Sequence, residues 1–477
     1  MRVERARAAA RPITIDHVWT FVALTVPIMG VLGSSMSTID LTYQVRAGDW
    51  MLRTHQLLDV DTFTFTVHGA SWLNQQWLAE VMLAAVYRAW GWAGVSVARG
   101  VLTGVSLAAI FLACRHAGAS LRRAALLTVA GFLLAQYHMA MRPQMIGFAL
   151  FCVSLWLVEG RRERPRSLWV LPLIVAIWAN IHGSFVLGPL LGGLAWLEDR
   201  RDRSPVARTT FLATAAACLA TLANPFGWRV LSYTVQIGTN STIRNLISEW
   251  RPTTITMGAG AAFFGSVAAI ALYFARTERT IPWLTLLRLG IFFLLALPAI
   301  RGVMWWAAAA PVAVAGILPP AKRASRVGIP TMNFLIVLLV AASLLIAIPR
   351  NGRTVIGDSI LRDAPEGLAA AIRTQLPPES RVFASQVWGS WFEFANPSQL
   401  VFVDARIELY SPEIWSDYFN ASGARQGWEG ILNRWSVDAV ALDPKQSGPL
   451  VDWIRTSPEW DLGYQDADGY LFVRAEP

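Results

Sequence analysis

Between Ser37 and Glu80 the chain reads STIDLTYQVRAGDWMLRTHQLLDVDTFTFTVHGASWLNQQWLAE. Asp40, Asp49, Asp59, Asp61 and Glu80 are opposed there only by Arg46, Arg53 and two histidines. A carboxylate partly withdrawn from water has a raised pKa and can take a proton from an acceptor hydroxyl, and Asp40 is the first candidate for such a base. Arg142, Arg251 and Arg301 stand near the ends of apolar runs. Guanidinium is always charged and binds oxyanions bidentately, so these residues could hold a phosphate. Asn180 and His182 in WANIHGSF and Glu249 in IRNLISEWRP are also out of place in their surroundings. Plainer readings stay open beside these. Asp40 could cap the helix that begins DLTYQV. Asp49 and Arg53 are spaced as an exposed helical pair. Asp59 and Asp61 suit a turn before a strand. Asp404, Arg406 and Glu408 in VDARIELY follow a strand, where either a ligand site or a buried ion pair would fit.

Such groups need a scaffold. Of 477 residues, 54% are hydrophobic and only 15% charged, too little charge for a soluble surface, so the chain is a polytopic membrane protein. The 22 Trp suit a long membrane–water interface. A net charge of +9 would fit nucleic acid, but the basic residues cluster between apolar runs, and no nucleic-acid partner is expected. Cys114, Cys152 and Cys218 lie in apolar runs and read as reduced packing residues. Apolar segments fall at 18–36, 95–114, 124–139, 143–159, 168–181, 184–198, 209–223, 255–275, 282–299, 302–318 and 331–348. They give about eleven transmembrane helices, several shorter than the ~20 residues of a straight crossing. The first is read as an uncleaved span, because more spans follow it. Segments 168–181 and 184–197 are either one long helix or a tight pair.

Lys and Arg favour the cytoplasmic side. Arg2/Arg5/Arg7/Arg11, Arg115/Arg122/Arg123, GRRERPRS (160–167), EDRRDRSPVAR (198–208), ARTER (275–279) and AKRASR (321–326) all fall inside when the N-terminus is inside and the C-terminus outside. This parity requires WLAEVMLAAVYRAWGW (77–92) to lie at the interface or dip and return. The carboxylate-rich loop 37–94 then faces out. Polar groups near membrane depth are costly, so those on this side are expected to share one wet cavity. After Arg350 the short runs RVFAS, QLVFVDAR, VDAVALD and GYLFVR alternate with helical patterns at 365–375 and 411–420, which indicates a small α/β domain. The expected organisation is a cytoplasmic N-terminus (1–17), an all-α transmembrane domain (18–349) and an extracytoplasmic α/β domain (350–477). No P-loop, zincin or serine-hydrolase signature occurs.

The long outer loop beginning with Asp40, the interfacial apolar helix and GVSVARG together resemble the GT-C superfamily of polytopic glycosyltransferases. DLTYQVRAGDWM is similar to the helix after the first span in the branch of protein mannosyltransferases and aminoarabinose transferases, and MRPQMIGFAL to the Arg-containing entry to a later span. The resemblance runs over residues 15–320 and is strongest at 37–100. WANIHGSF, NPFGW, SEWRP and VFVDARIELY resemble a large group of bacterial membrane proteins of unsettled activity. The resemblance implies a GT-C-like enzyme of the bacterial cytoplasmic (inner) membrane. It would move a sugar from a polyprenyl-phosphate donor to a periplasmic or lipid-linked acceptor, glycan or protein, in contact with membrane lipid. The catalytic or acceptor-binding Asp of such relatives maps onto Asp40. Relatives often carry Asp-Glu where this chain has Asp40-Leu41. The second acid then falls to Asp61, next to Asp59, or is missing, and its task would be to orient the acceptor or a divalent cation. Arg142 and Arg301 would hold the phosphate, His182 would assist its departure, and Asn180 and Glu249 would complete the substrate-binding set. A transporter for a lipid-linked intermediate and a non-catalytic scaffold are the alternatives.

Overall fold

The computed structural model describes residues 13–319 and 328–475; the Arg2–Arg11 and 321–326 basic clusters lie outside them. Each expected span overlaps a helix. The helices of the first three-quarters of the chain are α1 (Ile15–Leu32), α2 (Thr38–Thr54), α3 (Trp77–His116), α4 (Leu121–Ala135), α5 (Pro143–Glu159), α6 (Val170–Trp178), α7 (Leu187–Arg201), α8 (Ala207–Ala220), α9 (Arg229–Thr239), α10 (Ser241–Leu246), α11 (Gly258–Arg276), α12 (Trp283–Ala296), α13 (Val303–Ala315) and α14 (Pro330–Ile346). Among the described residues, four segments are long and apolar enough to cross a membrane: Ile15–Leu32, Trp77–His116, Pro143–Arg162 and Gly258–Arg276. The remaining apolar helices run 10–17 residues, so length and apolarity alone do not reach the expected count of about eleven. Residues 168–197 resolve as a pair, α6 and α7, parted by a turn around His182.

α3 holds two helices that meet at Gly91, whose φ of 59° and ψ of −159° are not helical. Glycine reaches that conformation without a Cβ penalty. The first part packs on α2 so closely that a Cβ on Gly48 would sit 2.0 Å from the Glu80 carbonyl oxygen. Asp49 staples the two, with Arg88 at 2.7 Å and Arg53 at 3.0 Å. In the second part Arg99 is buried and donates to the carbonyls of Val31 and Ser34 at the end of α1, which satisfies orphan acceptors there. A helix lying along the membrane surface over 77–90 has both ends on one side. Cysteines replacing Gln76 and Trp90, in a Cys218→Ser background, should both react with a membrane-impermeant thiol reagent added from outside. Reaction of one only after permeabilisation would show that the segment crosses.

The outer domain is joined to the start of α2. Strand β1 (Met36–Ser37) pairs in parallel with β2 (Leu361–Arg362). A five-stranded sheet follows, with β3 (Arg381–Ala384), β4 (Leu400–Val401), β5 (Ala439–Leu442), β6 (Trp460–Gln465) and β7 (Tyr470–Arg474) in the order β4-β3-β5-β7-β6. β3 runs parallel to β4 and β5, whereas β7 is antiparallel to β5 and β6. Helices α15 (Glu366–Gln375), α16 (Gln386–Ala395), α17 (Pro412–Ser422), α18 (Trp428–Arg434) and α19 (Pro444–Ile454) complete it. The first outer loop adds to the β4 edge: Phe65 N donates to the Val401 carbonyl at 3.1 Å, Val401 N to that of Phe63 at 3.2 Å, and Thr66 Oγ1 to that of Phe402 at 2.6 Å.

Beside this seam lies a buried ionic cluster. Arg406, fully enclosed, contacts Asp61 at 2.6 Å and Asp404 at 2.5 Å, with Glu393 at 3.8 Å. Its guanidinium lies over the rings of Trp72 (4.8 Å) and Phe63 (5.0 Å). Burial works against charge on Asp404, yet Arg406 holds it below the usual carboxylate range. Burial, then Asp404, push Glu393 well above that range. The cluster is thus one guanidinium, two carboxylates and a protonated acid.

Candidate functional site

Ser37 caps α2: its side chain accepts from Ile39 N at 3.4 Å. Asp40, inside the first turn, is therefore free of capping. Its carboxylate points into a cavity of about 730 Å³ between the helical domain and the outer domain, a size suited to a small ligand. Asp40, Arg142, His182, Glu249 and Arg301 all line it, as the cost of leaving each polar group in lipid requires.

The five form two linked assemblies. Arg142, just before α5, donates through Nε to Asp40 at 2.8 Å and through Nη1 to Glu249 at 2.8 Å. Two carboxylates thus neutralise this guanidinium and fix its plane. Burial, opposed by Arg142, raises the Asp40 pKa above its ordinary value. Burial works against charge on Glu249 too, but Arg142 and Arg301 hold its pKa low. Asp40 is accordingly the more basic of the two carboxylates.

Arg301 begins the turn that leads into α13. It donates to Gln144 Oε1 at 2.7 Å, meets His182 Nε2 at 3.3 Å and lies over the Trp250 ring at 4.5 Å. Among the described residues it has no ion pair. Burial, then Arg301, push His182 down to about 3, so this imidazole is neutral. With a guanidinium at Nε2, its proton belongs on Nδ1, which faces Ser184 Oγ at 2.7 Å. His182 is therefore built to orient Arg301 and not to donate a proton to a leaving phosphate.

Three expected site residues are placed elsewhere. Asp61 does not line the cavity; it is fully buried against Arg406 and accepts from Thr64 N and Oγ1 at 3.1 and 2.7 Å. Asp59 is exposed on the outer loop, where its carbonyl accepts from Trp72 N at 2.6 Å. Asn180 ties elements together, accepting from Trp77 Nε1 at 2.9 Å and donating to the carbonyls of Ala176 and Ala223 at 2.8 Å each. Among the described residues no three His, Cys, Asp or Glu side chains are grouped as metal ligands. The cavity also holds residues with no earlier site assignment from outer-loop chemistry: Tyr43, Gln44, Tyr233, Arg244 and the outer domain's Glu408.

No family model matches the chain, and no curated protein does. Solved structures do. An oligosaccharyltransferase of Archaeoglobus fulgidus, tethered by a disulfide bond to an acceptor peptide containing the NVT sequon, superposes with a TM-score of 0.55 at 13% identity. Its apo form gives 0.52 at 12% identity. Each alignment covers 96% of this chain and 74% of the other. The chain therefore has the GT-C fold of these enzymes.

Proposed function

We propose that the protein is a membrane glycosyltransferase that moves a sugar from a polyprenyl-phosphate donor to a hydroxyl-bearing acceptor at the outer face of the bacterial cytoplasmic membrane. The observation that carries this reading is the convergence of a base, Asp40, and an un-neutralised cation, Arg301, in one cavity of a GT-C fold. The acceptor oxygen attacks the anomeric carbon and forms the new C–O bond. The bond from that carbon to the phosphate oxygen breaks, and its electron pair leaves on the phosphate, held by Arg301. The acceptor's proton passes to Asp40. Arg142, already satisfied by two carboxylates, is a positioning residue that aims Asp40. A leaving anion meets a cation fixed in advance by Gln144, His182 and Trp250, the preorganisation on which such catalysis depends.

Transfer by the purified full chain from a panel of polyprenyl-phosphate sugars tests this; absence of transfer with every donor would favour the scaffold reading. The pH profile tests the base. Asp40 must be ionised, and its pKa is raised, so kcat/KM should climb with pH through a midpoint above the ordinary Asp value of 3.8. An acid limb at or below that value would remove Asp40 from the role.

A further inference from the structure

The cavity has an end that the transfer chemistry does not use. Glu408 reaches it from the short turn after Arg406, so a residue of the outer domain lines the same space as Asp40. Tyr233 of α9 donates to Glu408 Oε1 at 3.3 Å. No cation within ion-pair distance neutralises Glu408 among the described residues. Gln44, 2% exposed and lining the same cavity, keeps Oε1 without a hydrogen-bond partner. Buried polar groups are nearly always satisfied, so an open acceptor in a cavity wall marks a place for a ligand donor. The wall here is a carboxyl, phenols and amides, whereas the guanidinium groups sit with Asp40, Glu249 and Trp250.

We infer that Glu408, with Tyr233 and Gln44, is the acceptor-specificity site of this enzyme and that it takes a neutral sugar bearing several hydroxyls, not a peptide or an anionic group. This rests on the glycosyltransferase reading and names its acceptor class. Sugar hydroxyls both donate and accept, and each finds a counterpart in this wall: Gln44 Oε1 accepts, Tyr233 and the amide nitrogens donate, and the Glu408 carboxyl does either according to its proton. Burial raises the Glu408 pKa, which suits hydrogen bonding to an uncharged partner. An anionic acceptor would meet Glu408 and Asp40 without a free cation at this end. The buried Arg406–Asp404 pair directly precedes the turn and holds Glu408 in place.

Calorimetric titration of the full chain in lipid nanodiscs, with neutral trisaccharides of mannose, galactose and glucose and with an uncharged peptide, tests the inference. At least one trisaccharide should bind and the peptide should not. Glu408→Ala should weaken that binding by about ten-fold, the size of a lost hydrogen bond or two. Glu408→Gln, which keeps a donor and an acceptor, should stay within about three-fold. In transfer assays the same variants should raise KM for the acceptor and leave KM for the donor unchanged. Trisaccharide affinity equal in wild type and Glu408→Ala, binding of the peptide alone, or no trisaccharide binding at all would overturn the proposal. Glu408-dependent trisaccharide binding without transfer from any donor would instead overturn the glycosyltransferase reading and leave this site standing.

Discussion

Asp40→Asn should abolish sugar transfer, lowering kcat by ~10²–10⁴, while the protein still folds and inserts. Asn keeps the size of Asp and can still accept from Arg142 Nε, which lies 2.8 Å from the carboxylate. It cannot take the acceptor's proton. Arg142 also retains Glu249 at 2.8 Å, so no guanidinium is stranded and the stability change should be about 1 kcal/mol or less. The helix end is not disturbed, because Ser37 provides the cap. Ser37→Ala is the matched control: it should cost about 1 kcal/mol of stability and leave turnover nearly unchanged. Thermal midpoints and single-turnover rates from one donor panel separate the two. Wild-type turnover in Asp40→Asn would take Asp40 out of the mechanism.

Asp40, Arg142, His182, Glu249 and Arg301 were legible in the sequence for one reason. Each is a polar residue next to an apolar run, and lipid tolerates such residues only where a cavity or partner receives them. The same rule could not tell a ligand-facing group from one satisfied by its own neighbours. Asn180 obeys it, yet meets Trp77 and two backbone carbonyls instead of the cavity. Asp61 shows a second limit: its partner, Arg406, lies 345 residues further on, and nothing local announces that contact. Glu408 failed to register as a site residue for the converse reason. Its reading as a strand-end residue in VDARIELY was sound, but only the docking of the outer domain brings it to Tyr233, 175 positions away. In the outer domain, β3, β5 and β7 follow the short apolar runs RVFAS, VDAVALD and GYLFVR. β6 escaped, because WDLGYQ is mostly exposed and interrupted by Gly463 at a bulge. Helix QVWGSWFEFA escaped as well; its aromatics are nearly continuous and blur the helical period.

Arg406→Leu should be among the most damaging single substitutions in the outer domain, costing ~3–5 kcal/mol, because it strands two buried carboxylates. Asp61 and Asp404 contact its guanidinium at 2.6 and 2.5 Å, and all three side chains are fully enclosed. Asp61 comes from the first outer loop and Asp404 from the outer domain, so the substitution should also loosen the seam between Phe63, Phe65 and Val401 and release the turn that carries Glu408. Limited proteolysis of the 55–75 loop should speed up, and acceptor KM should rise. Replacing Asp61 and Asp404 by Asn in the same chain should restore much of the stability, since a buried ionic group removed whole is far less costly than one broken. The pH response of the cluster has opposite signs at two positions. Asp404 has a lowered folded pKa, so its stabilisation is present above its unfolded value and is lost as pH falls through the folded one. Glu393 has a raised folded pKa, so the stability it confers is present when protonated and declines as pH rises from its unfolded value towards the folded one. Gln mimics the protonated acid. Glu393→Gln should therefore leave the thermal midpoint equal or higher at neutral pH and flatten its fall towards alkaline pH, while acid sensitivity from Asp404 persists. A midpoint lowered at neutral pH by Glu393→Gln would show that Glu393 is charged and that Arg406 is shared among three carboxylates.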